Sequence, residues 1–226
     1  DTTGAKTLYV QLMDGFGQMT ETRSASITIN PPRKAVVSIG WAYDDVAPGC
    51  VFDSGLGINR MNYSATARTF VWDSGEDAGT VVKGDSVNFN EDIRVGGATT
   101  GDDSGMYPDS VLEKYVRYNG FPQNTYGHRT ASIHLSPGTY RLRLFCSLNS
   151  TYKNSTEFMK VQTVVDGVAN VFELPDGYDV IGNLTRWLEQ EITVPESGMF
   201  ELQWGMENAT KGWMEVPLNI IEIEET

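Results

Sequence analysis

The sequence predicts an all-β fold, an antiparallel β-sandwich of the jelly-roll type. Short segments of alternating apolar and polar residues recur along the 226 residues, and turns rich in Gly and Pro separate them. Gly occurs 23 times, and strong helix formers are few. No regular alternation of strands with long helical patterns is visible, which disfavours a parallel α/β sheet. Together these observations favour a sandwich of short strands.

The first two strands are predicted at 7–12 and 23–29, where apolar and polar residues alternate. Asp14–Gly15–Phe16–Gly17 lies between them and supplies turn residues, since Gly adopts a positive φ at little cost. Asn30–Pro31–Pro32 then interrupts the pattern, because Pro cannot donate to a strand ladder. About thirty residues are too few for an independent core. Residues 1–32 are therefore either the last hairpin of a β-domain or a strand pair packed on the second domain.

The second domain is predicted to span 33–226 and to contain ten strands and one helical segment. One or two helical turns are predicted within 108–118, because Pro108 suits the first turn of a helix and Val111, Leu112 and Tyr115 recur at helical spacing. The strands are predicted from period-two patterning at 34–40, 66–72, 80–90, 130–136, 139–148, 157–165, 168–174, 188–195, 199–206 and 214–224.

The connections between these strands fall into two length classes. If consecutive strands alternate in direction, alternate connections emerge at the same end of the sandwich. One end then receives tight turns at 73–79, 136–138, 166–167 and 196–198. The other end receives long connections, at 41–65, 91–129, 149–156, 175–187 and 207–213. Because compact domains prefer short connections and long ones tend to carry function, we expect the functional site at the long-loop end.

Charge and hydropathy argue against two classes of partner. Asp and Glu total 30 and Lys and Arg total 17, for a net charge of −13, which repels the phosphate backbone of nucleic acids. The apolar runs, such as Ala35–Val36–Val37, are much shorter than the about 20 residues that a membrane span requires. Cys50 and Cys146 either form one disulfide bond or remain as buried thiols, and the apolar run around Cys146 favours thiols.

The sequence gives little support for catalysis. The segment Gly84–Asp85–Ser86 matches a short esterase motif, but neither His128 nor His134 is preceded at the required spacing by an Asp. Two His and two Cys at scattered positions exclude a zinc site of regular spacing. Asp102 and Asp103, with other loop Asp residues, supply hard oxygen ligands, so calcium stays open as a structural ion. No cofactor is required by any motif.

Sugar binding fits the long-loop end better. Sugar rings stack their C–H faces on aromatic side chains, and their hydroxyl groups pair with polar side chains. Both kinds of residue occur in the long connections. The candidate carbohydrate-binding residues are Trp41, Tyr43, Tyr107, Tyr126, His128, Arg129, Tyr152 and Trp213. The alternative for each is a role in packing; Trp187, Trp72 and Trp204 are assigned to packing because they lie in or beside strands.

Two resemblances accompany these patterns. Residues 4–30, with Lys-Thr-aromatic-Val, Asp-x-x-Gly and Ile-Thr-Ile, resemble the closing strands of immunoglobulin-like repeats in bacterial surface and secreted proteins. Three stretches, AVVSIGWA with GINRMNY, TGDDSGMYPDSVLEKYVRYNG, and IHLSPGTYRLRLFCSLNS with VPLNIIEIEE, resemble malectin-like, galactose-binding-type β-sandwich modules of secreted bacterial polysaccharide-degrading enzymes. The resemblance implies a multidomain extracellular parent, with a glycosidase or lyase as a neighbouring domain. It identifies no binding residue.

The sequence therefore predicts a non-catalytic carbohydrate-binding module of a secreted or cell-surface protein, whose partner is a polysaccharide or other glycan. The alternative is a structural or adhesive module of a surface or fibre protein that binds no small ligand. A hydrolase is the third and least supported hypothesis.

Overall fold

The computed structural model describes residues 4–29, 31–84, 93–120, 126–149, 156–208 and 214–226. These residues form two compact units, Asp1–Pro32 and Arg33–Thr226. Among the described residues, no helix has both the length and the apolar composition needed to cross a membrane.

The first unit is an antiparallel hairpin. Strand β1 (Gly4–Val10) pairs with β2 (Arg23–Ile29) so that Leu8 lies opposite Ala25. The connection turns at Asp14, whose carboxylate accepts the backbone N–H groups of Phe16 and Gln18, each at 2.9 Å. The predicted hairpin is therefore present, and its membership of an immunoglobulin-like repeat stays a prediction.

The second unit consists almost entirely of strands. Its one α-helix among the described residues, α1, covers Asp109–Leu112. In chain order the strands are β3 (Lys34–Ser38), β4 (Cys50–Asp53), β5 (Ile58–Met61), β6 (Arg68–Val71), β7 (Asp77–Lys83), β8 (Ile93–Val95), β9 (Lys114–Gly120), β10 (Gly127–Leu135), β11 (Gly138–Phe145), β12 (Met159–Val165), β13 (Val168–Val171), β14 (Leu188–Val194), β15 (Met199–Met206), β16 (Met214–Leu218) and β17 (Ile220–Glu225).

Three sheets organise these strands. The first sheet has the order β13-β12-β15-β10-β7-β6 and is antiparallel throughout. The second sheet has the order β14-β11-β17-β3-β5-β4, and its single parallel pair is β3 with β5. A small third sheet, β16-β9-β8, lies in the long connection between β7 and β10 together with β16. The predicted all-β antiparallel sandwich is confirmed.

The main core lies between the first and second sheets, because one face of each is apolar. Along β11, for example, Tyr140, Leu142 and Leu144 are buried between the sheets and alternate with Arg141 and Arg143 on the outer face. A second, smaller cluster, named here the outer cluster, packs on the outer face of the second sheet; its buried members are Val36, Trp41, Val46, Ile58, Val111, Leu112, Phe145 and Ile220.

The strand directions separate short connections from long ones, as predicted. The connections 54–57, 72–76, 136–137, 166–167 and 195–198 lie at one end of the sandwich. The opposite end receives the connections 39–49, 62–67 and 172–187, the described parts 146–149 and 156–158 of the connection between β11 and β12, and the third sheet. We call this second end the long-loop end.

Three predicted elements differ from the structure. Of the one or two helical turns expected within 108–118, one is present as α1, and the rest of the range belongs to β9, since aromatic and β-branched residues at 115, 116 and 118 suit a strand better. The predicted loop 41–65 contains the hairpin β4–β5, which is too short for period-two patterning to show. The predicted strand 214–224 is broken at Asn219 into β16 and β17, which belong to different sheets.

Candidate functional site

A groove of about 590 Å³ opens at the long-loop end. Two connections form it: 39–49, which leaves β3, and 62–67, which leaves β5. Strands β6 and β8 complete it through their first residues, Arg68 and Ile93. The groove is lined by Ala42, Tyr43, Asn62, Tyr63, Ser64, Ala65, Thr66, Arg68 and Ile93.

Tyr43 presents an open aromatic ring to this groove. It begins a 3₁₀ turn, Tyr43–Asp45, in which the Val46 N–H donates to the Tyr43 carbonyl at 3.1 Å. Its side chain is 51% exposed. Among the large exposed apolar side chains in the described part of the second unit, Tyr43 is the one aromatic ring. Tyr43 therefore has the exposure that stacking on a sugar ring requires.

The walls of the groove are held by hydrogen bonds between its two connections and the core. The Asn62 side-chain amide donates to the Trp41 carbonyl at 2.9 Å and so joins the two connections. The Tyr63 hydroxyl donates to the Thr130 carbonyl at 2.5 Å, and its ring packs edge-on against Trp204 with centroids 5.6 Å apart. Tyr63 thereby joins the groove to the main core.

Arg68 supplies a positive charge beside Tyr43. Its guanidinium carbon lies 5.9 Å from the centre of the Tyr43 ring, and Nη2 is 3.5 Å from the Ser64 hydroxyl. Arg68 is near Cys50, but burial raises the pKa of the Cys50 thiol to about 11, so the thiol is neutral at pH 7. The groove thus combines an open aromatic ring, hydroxyl and amide groups, and one cation.

Trp41 does not line the groove. It is 7% exposed and belongs to the outer cluster, where its Nε1 donates to the Ser38 hydroxyl at 2.9 Å. The Arg60 guanidinium and the Lys114 ammonium lie 5.2 and 5.4 Å from its ring centre. Trp41 supports the connection that carries Tyr43.

Tyr126, His128 and Arg129 gather at the start of β10, at the same end but in a separate group. The rings of Tyr126 and His128 are stacked with centroids 4.5 Å apart, and the Tyr126 hydroxyl donates to the Lys160 carbonyl at 3.2 Å. Burial raises the pKa of Tyr126. Arg129 is 8% exposed, and its Nε donates to the Arg117 carbonyl at 3.4 Å. These hydrogen bonds connect the start of β10 to β12 and β9.

A second groove, of about 470 Å³, lies close to that group. Lys160 and Glu207 line it and form an ion pair of 2.8 Å, so their charges are already satisfied. The Lys160 ammonium also lies 4.8 Å from the centre of the Tyr126 ring. This groove offers no exposed aromatic ring among its described lining residues, which also include Glu157, Phe158, Met159, Val171 and Asn208.

Tyr107 lies on the outer face of the second sheet, outside both grooves. Its hydroxyl donates to the Glu222 carboxylate at 3.3 Å, and its ring packs edge-on against Trp187 at 6.3 Å. Burial raises the pKa of Tyr107, and the Glu222 charge raises it further. Trp187, predicted to pack, packs on Phe145 at 5.5 Å. The other two candidates, Tyr152 and Trp213, lie outside the described residues.

The candidate calcium ligands Asp102 and Asp103 serve a turn. Asp102 accepts the Ser104 N–H at 3.1 Å, and Asp103 accepts the Asp109 N–H at 2.7 Å. The Ser104 hydrogen bonds hold the pKa of Asp102 below its usual value. Within the ranges that the structure describes, no group of three metal-ligating side chains gathers. The calcium site stays a prediction.

The two cysteines are free thiols. Cys146 is fully buried in the main core, and burial raises its pKa to about 12. The free thiols that the sequence favoured over a disulfide bond are confirmed; Cys146 is buried as expected, whereas Cys50 is only partly buried.

The sequence analysis missed most of the groove. Asn62, Ser64 and Thr66 follow the unrecognised strand β5, and Arg68 was assigned to a strand without a role. The cluster of polar residues after Met61 was the available signal, because polar side chains that follow a buried strand at the long-loop end are candidates for binding.

Comparisons with known proteins concern the fold. No protein-family model matches the sequence, and no curated protein sequence matches it. A chain in the solved complex of plant peptide RALF23 with FER and LLG2 is similar, with a TM-score of 0.49, 15% identity, and coverage of 88% of this chain and 51% of that chain. A β-glucuronidase of Bacteroides uniformis has a TM-score of 0.41 and 9% identity, covering 100% of this chain and 23% of that chain. A family 35 carbohydrate-binding module from an environmental isolate has a TM-score of 0.32 and 14% identity. The match covers 63% of this chain and 90% of that chain.

The chain thus spans about half the length of the first of these chains and about a quarter of the second. These similarities are too low to transfer a function to this chain. The proposed function therefore rests on the groove.

Proposed function

We propose that the chain is a non-catalytic carbohydrate-binding module that holds its glycan in the groove at the long-loop end. The open ring of Tyr43 beside hydroxyl and amide groups is the observation that carries this proposal. An aromatic face accepts the C–H side of a sugar ring, and the polar groups of Asn62, Ser64 and Thr66 pair with its hydroxyl groups. The volume of about 590 Å³ lies within the range of small-molecule sites.

The lining residues support binding without catalysis. None of the described residues that line the groove is an Asp, Glu, His or Cys. Glycoside hydrolysis of the usual kind needs a pair of carboxyl groups across the scissile bond. The groove therefore lacks, among its described lining residues, the groups that would donate and accept protons in such a reaction. We expect the glycan to bind with a dissociation constant in the micromolar to millimolar range, roughly −4 to −8 kcal/mol.

The setting of the module is inferred from the resemblances of its sequence. We place it in a secreted or cell-surface protein, with a polysaccharide as its ligand and a glycosidase or lyase as its neighbouring domain. Residues 1–32 are proposed as the end of an immunoglobulin-like repeat, and residues 33–226 as the binding domain.

Affinity electrophoresis on gels that contain plant or microbial polysaccharides tests the proposal. Removing the ring in Tyr43→Ala should abolish the retardation of the wild-type chain, because the stacking surface is lost. Tyr9→Ala is the matched control: Tyr9 is 69% exposed in the first unit, so retardation should persist. A folded wild-type chain that no polysaccharide retards would favour a structural or adhesive module. Release of reducing sugar or acetate would instead indicate a hydrolase.

A further inference from the structure

Arg68 is a cation without a counter-charge among the described residues of a strongly acidic molecule. Its Nε is buried without a hydrogen-bond acceptor, and its Nη2 reaches only the Ser64 hydroxyl, at the 3.5 Å limit. No described carboxylate lies within ion-pairing distance of it, whereas Arg33, Arg60 and Arg143 each meet one. Arg186 also meets no described carboxylate, but it donates to the Asp176 carbonyl at 2.5 Å and does not line the groove, so Arg68 is the unpaired arginine that a ligand in the groove would meet.

The absence of a side chain at Gly49 leaves the space that the Arg68 guanidinium occupies. Gly49, at φ +115°, lies directly against it: a Cβ at this position would be 2.5 Å from the guanidinium carbon. Any other residue would therefore displace the guanidinium. The neighbouring Cys50 thiol supplies no negative charge at neutral pH, because burial raises its pKa to about 11.

From this geometry we propose that the groove selects a sugar that carries an anionic substituent, a carboxylate or a sulfate ester, and that Arg68 pairs with that group while Tyr43 stacks on the ring. The inference deepens the proposed function and rests on it. The guanidinium carbon lies over the Tyr43 ring, 5.9 Å from its centre, so the substituent of a sugar held at Tyr43 comes close to Arg68. A guanidinium presents a planar fork of N–H donors that matches carboxylate and sulfate oxygens.

Calorimetric titration of the full chain tests this selectivity. The probes are oligomers of galactose, of galacturonic acid and of sulfated galactose, with the corresponding glucose series. We expect at least one anionic series to bind about 10-fold or more tightly than its neutral parent, the scale of one charge-assisted hydrogen bond. The carboxylate and sulfate arms show which anion the site takes.

Two Arg68 variants and one control separate pairing from general electrostatics. Arg68→Gln should remove the preference for the anionic series while weak neutral binding remains, and Arg68→Lys should keep part of it, because the charge stays and the fork is lost. Arg141→Gln removes the same charge from the outer face of the second sheet and should keep the preference. Thermal unfolding of each variant confirms that it is folded.

The outcomes distinguish this inference from the proposed function. Equal binding of neutral and anionic oligomers, or a preference that survives in Arg68→Gln, overturns the inference and leaves carbohydrate binding intact. Failure of the folded wild-type chain to bind any oligomer or polysaccharide overturns both.

Discussion

Buried asparagines hold the long-loop end together, and Asn219 shows how. It is 0% exposed and lies where the chain passes from β16 to β17. Its side-chain amide donates to the Leu112 carbonyl at 2.9 Å, and its side-chain oxygen accepts the Ser147 N–H at 2.7 Å. One side chain thereby satisfies backbone groups of two separate connections that would otherwise be buried without partners.

We expect Asn219→Ala to lower the free energy of unfolding by roughly 3 kcal/mol, since it leaves two buried backbone groups unpaired. Urea denaturation measures the change. Asn170→Ala, on the exposed edge strand β13, should stay within about 0.5 kcal/mol of the wild type. A loss below about 1 kcal/mol in Asn219→Ala would show that water replaces the side chain at both backbone groups.

A second residue-scale prediction concerns acid stability. The Arg33 Nε donates to the Glu225 carboxylate at 2.8 Å, and this contact holds the pKa of Glu225 below its usual value. Because the folded carboxyl group is the more acidic one, the pair stabilises the fold above the unfolded pKa. That contribution is lost as pH falls through the folded pKa.

Glu225→Gln should therefore lower the melting temperature at pH 7 by about 2 °C or less, because the pair is partly solvated. The difference from the wild type should shrink as pH falls through the folded pKa of Glu225, which lies below the usual range of a glutamate. Glu196→Gln, in an exposed turn, is the control and should show no such trend. A difference that persists unchanged at low pH would mean that packing, not charge, is responsible.

At the scale of elements, the sequence predicted those strands whose packing is visible in their own pattern. Strand β11 alternates Tyr140, Leu142 and Leu144 with two arginines, so period two identifies it. The four-residue strands β4 and β5 were not predicted because they are too short to show the period-two alternation of a strand. Strand β9 was not predicted because it follows α1 almost directly. The apolar residues of α1 and β9 together fit the spacing of a single helix.

The sequence indicated the end of the sandwich at which the candidate groove lies, but not which residues line it. The alternation of strand directions predicted the long-loop end, and Tyr43 lines a groove there. Trp41, only two residues away, is buried, because an aromatic residue at a strand end can face either solvent or a packed cluster. Sequence patterning does not report that choice. Arg68 escaped because its lack of a partner depends on residues distant in the chain.

The contact between β3 and the third sheet depends on a glycine. Gly40 follows β3, and a Cβ there would lie 2.5 Å from the Cα atom of Tyr115 in β9. Gly40→Ala must therefore separate the two backbones, and overpacking of this kind costs about 1–3 kcal/mol. Chemical denaturation should show that loss. Gly55→Ala, whose Cβ would meet nothing closer than 3.4 Å, should be nearly neutral. Equal stability of the two variants would refute the close packing.

At the scale of the whole molecule, the sandwich depends on contacts between distant parts of the sequence. Strand β17 lies in the interior of the second sheet, between β11 and β3, and pairs Ile221 with Val37 and with Leu144. Ile221 and Ile223 both point into the main core. The second sheet is therefore incomplete until β17 has joined it.

Removal of residues 219–226 should consequently prevent cooperative folding, because it exposes the inner edges of β11 and β3 and deletes part of the main core. Far-ultraviolet circular dichroism during heating would then show no sigmoidal transition. The double variant Ile221→Val, Ile223→Val keeps the strand and trims one methylene group from each side chain, so it should unfold cooperatively with a loss of about 1–3 kcal/mol. A cooperative transition in the truncated chain would mean that the first sheet folds without a complete second sheet. That result would contradict the dependence of the first sheet on the core that the two sheets share.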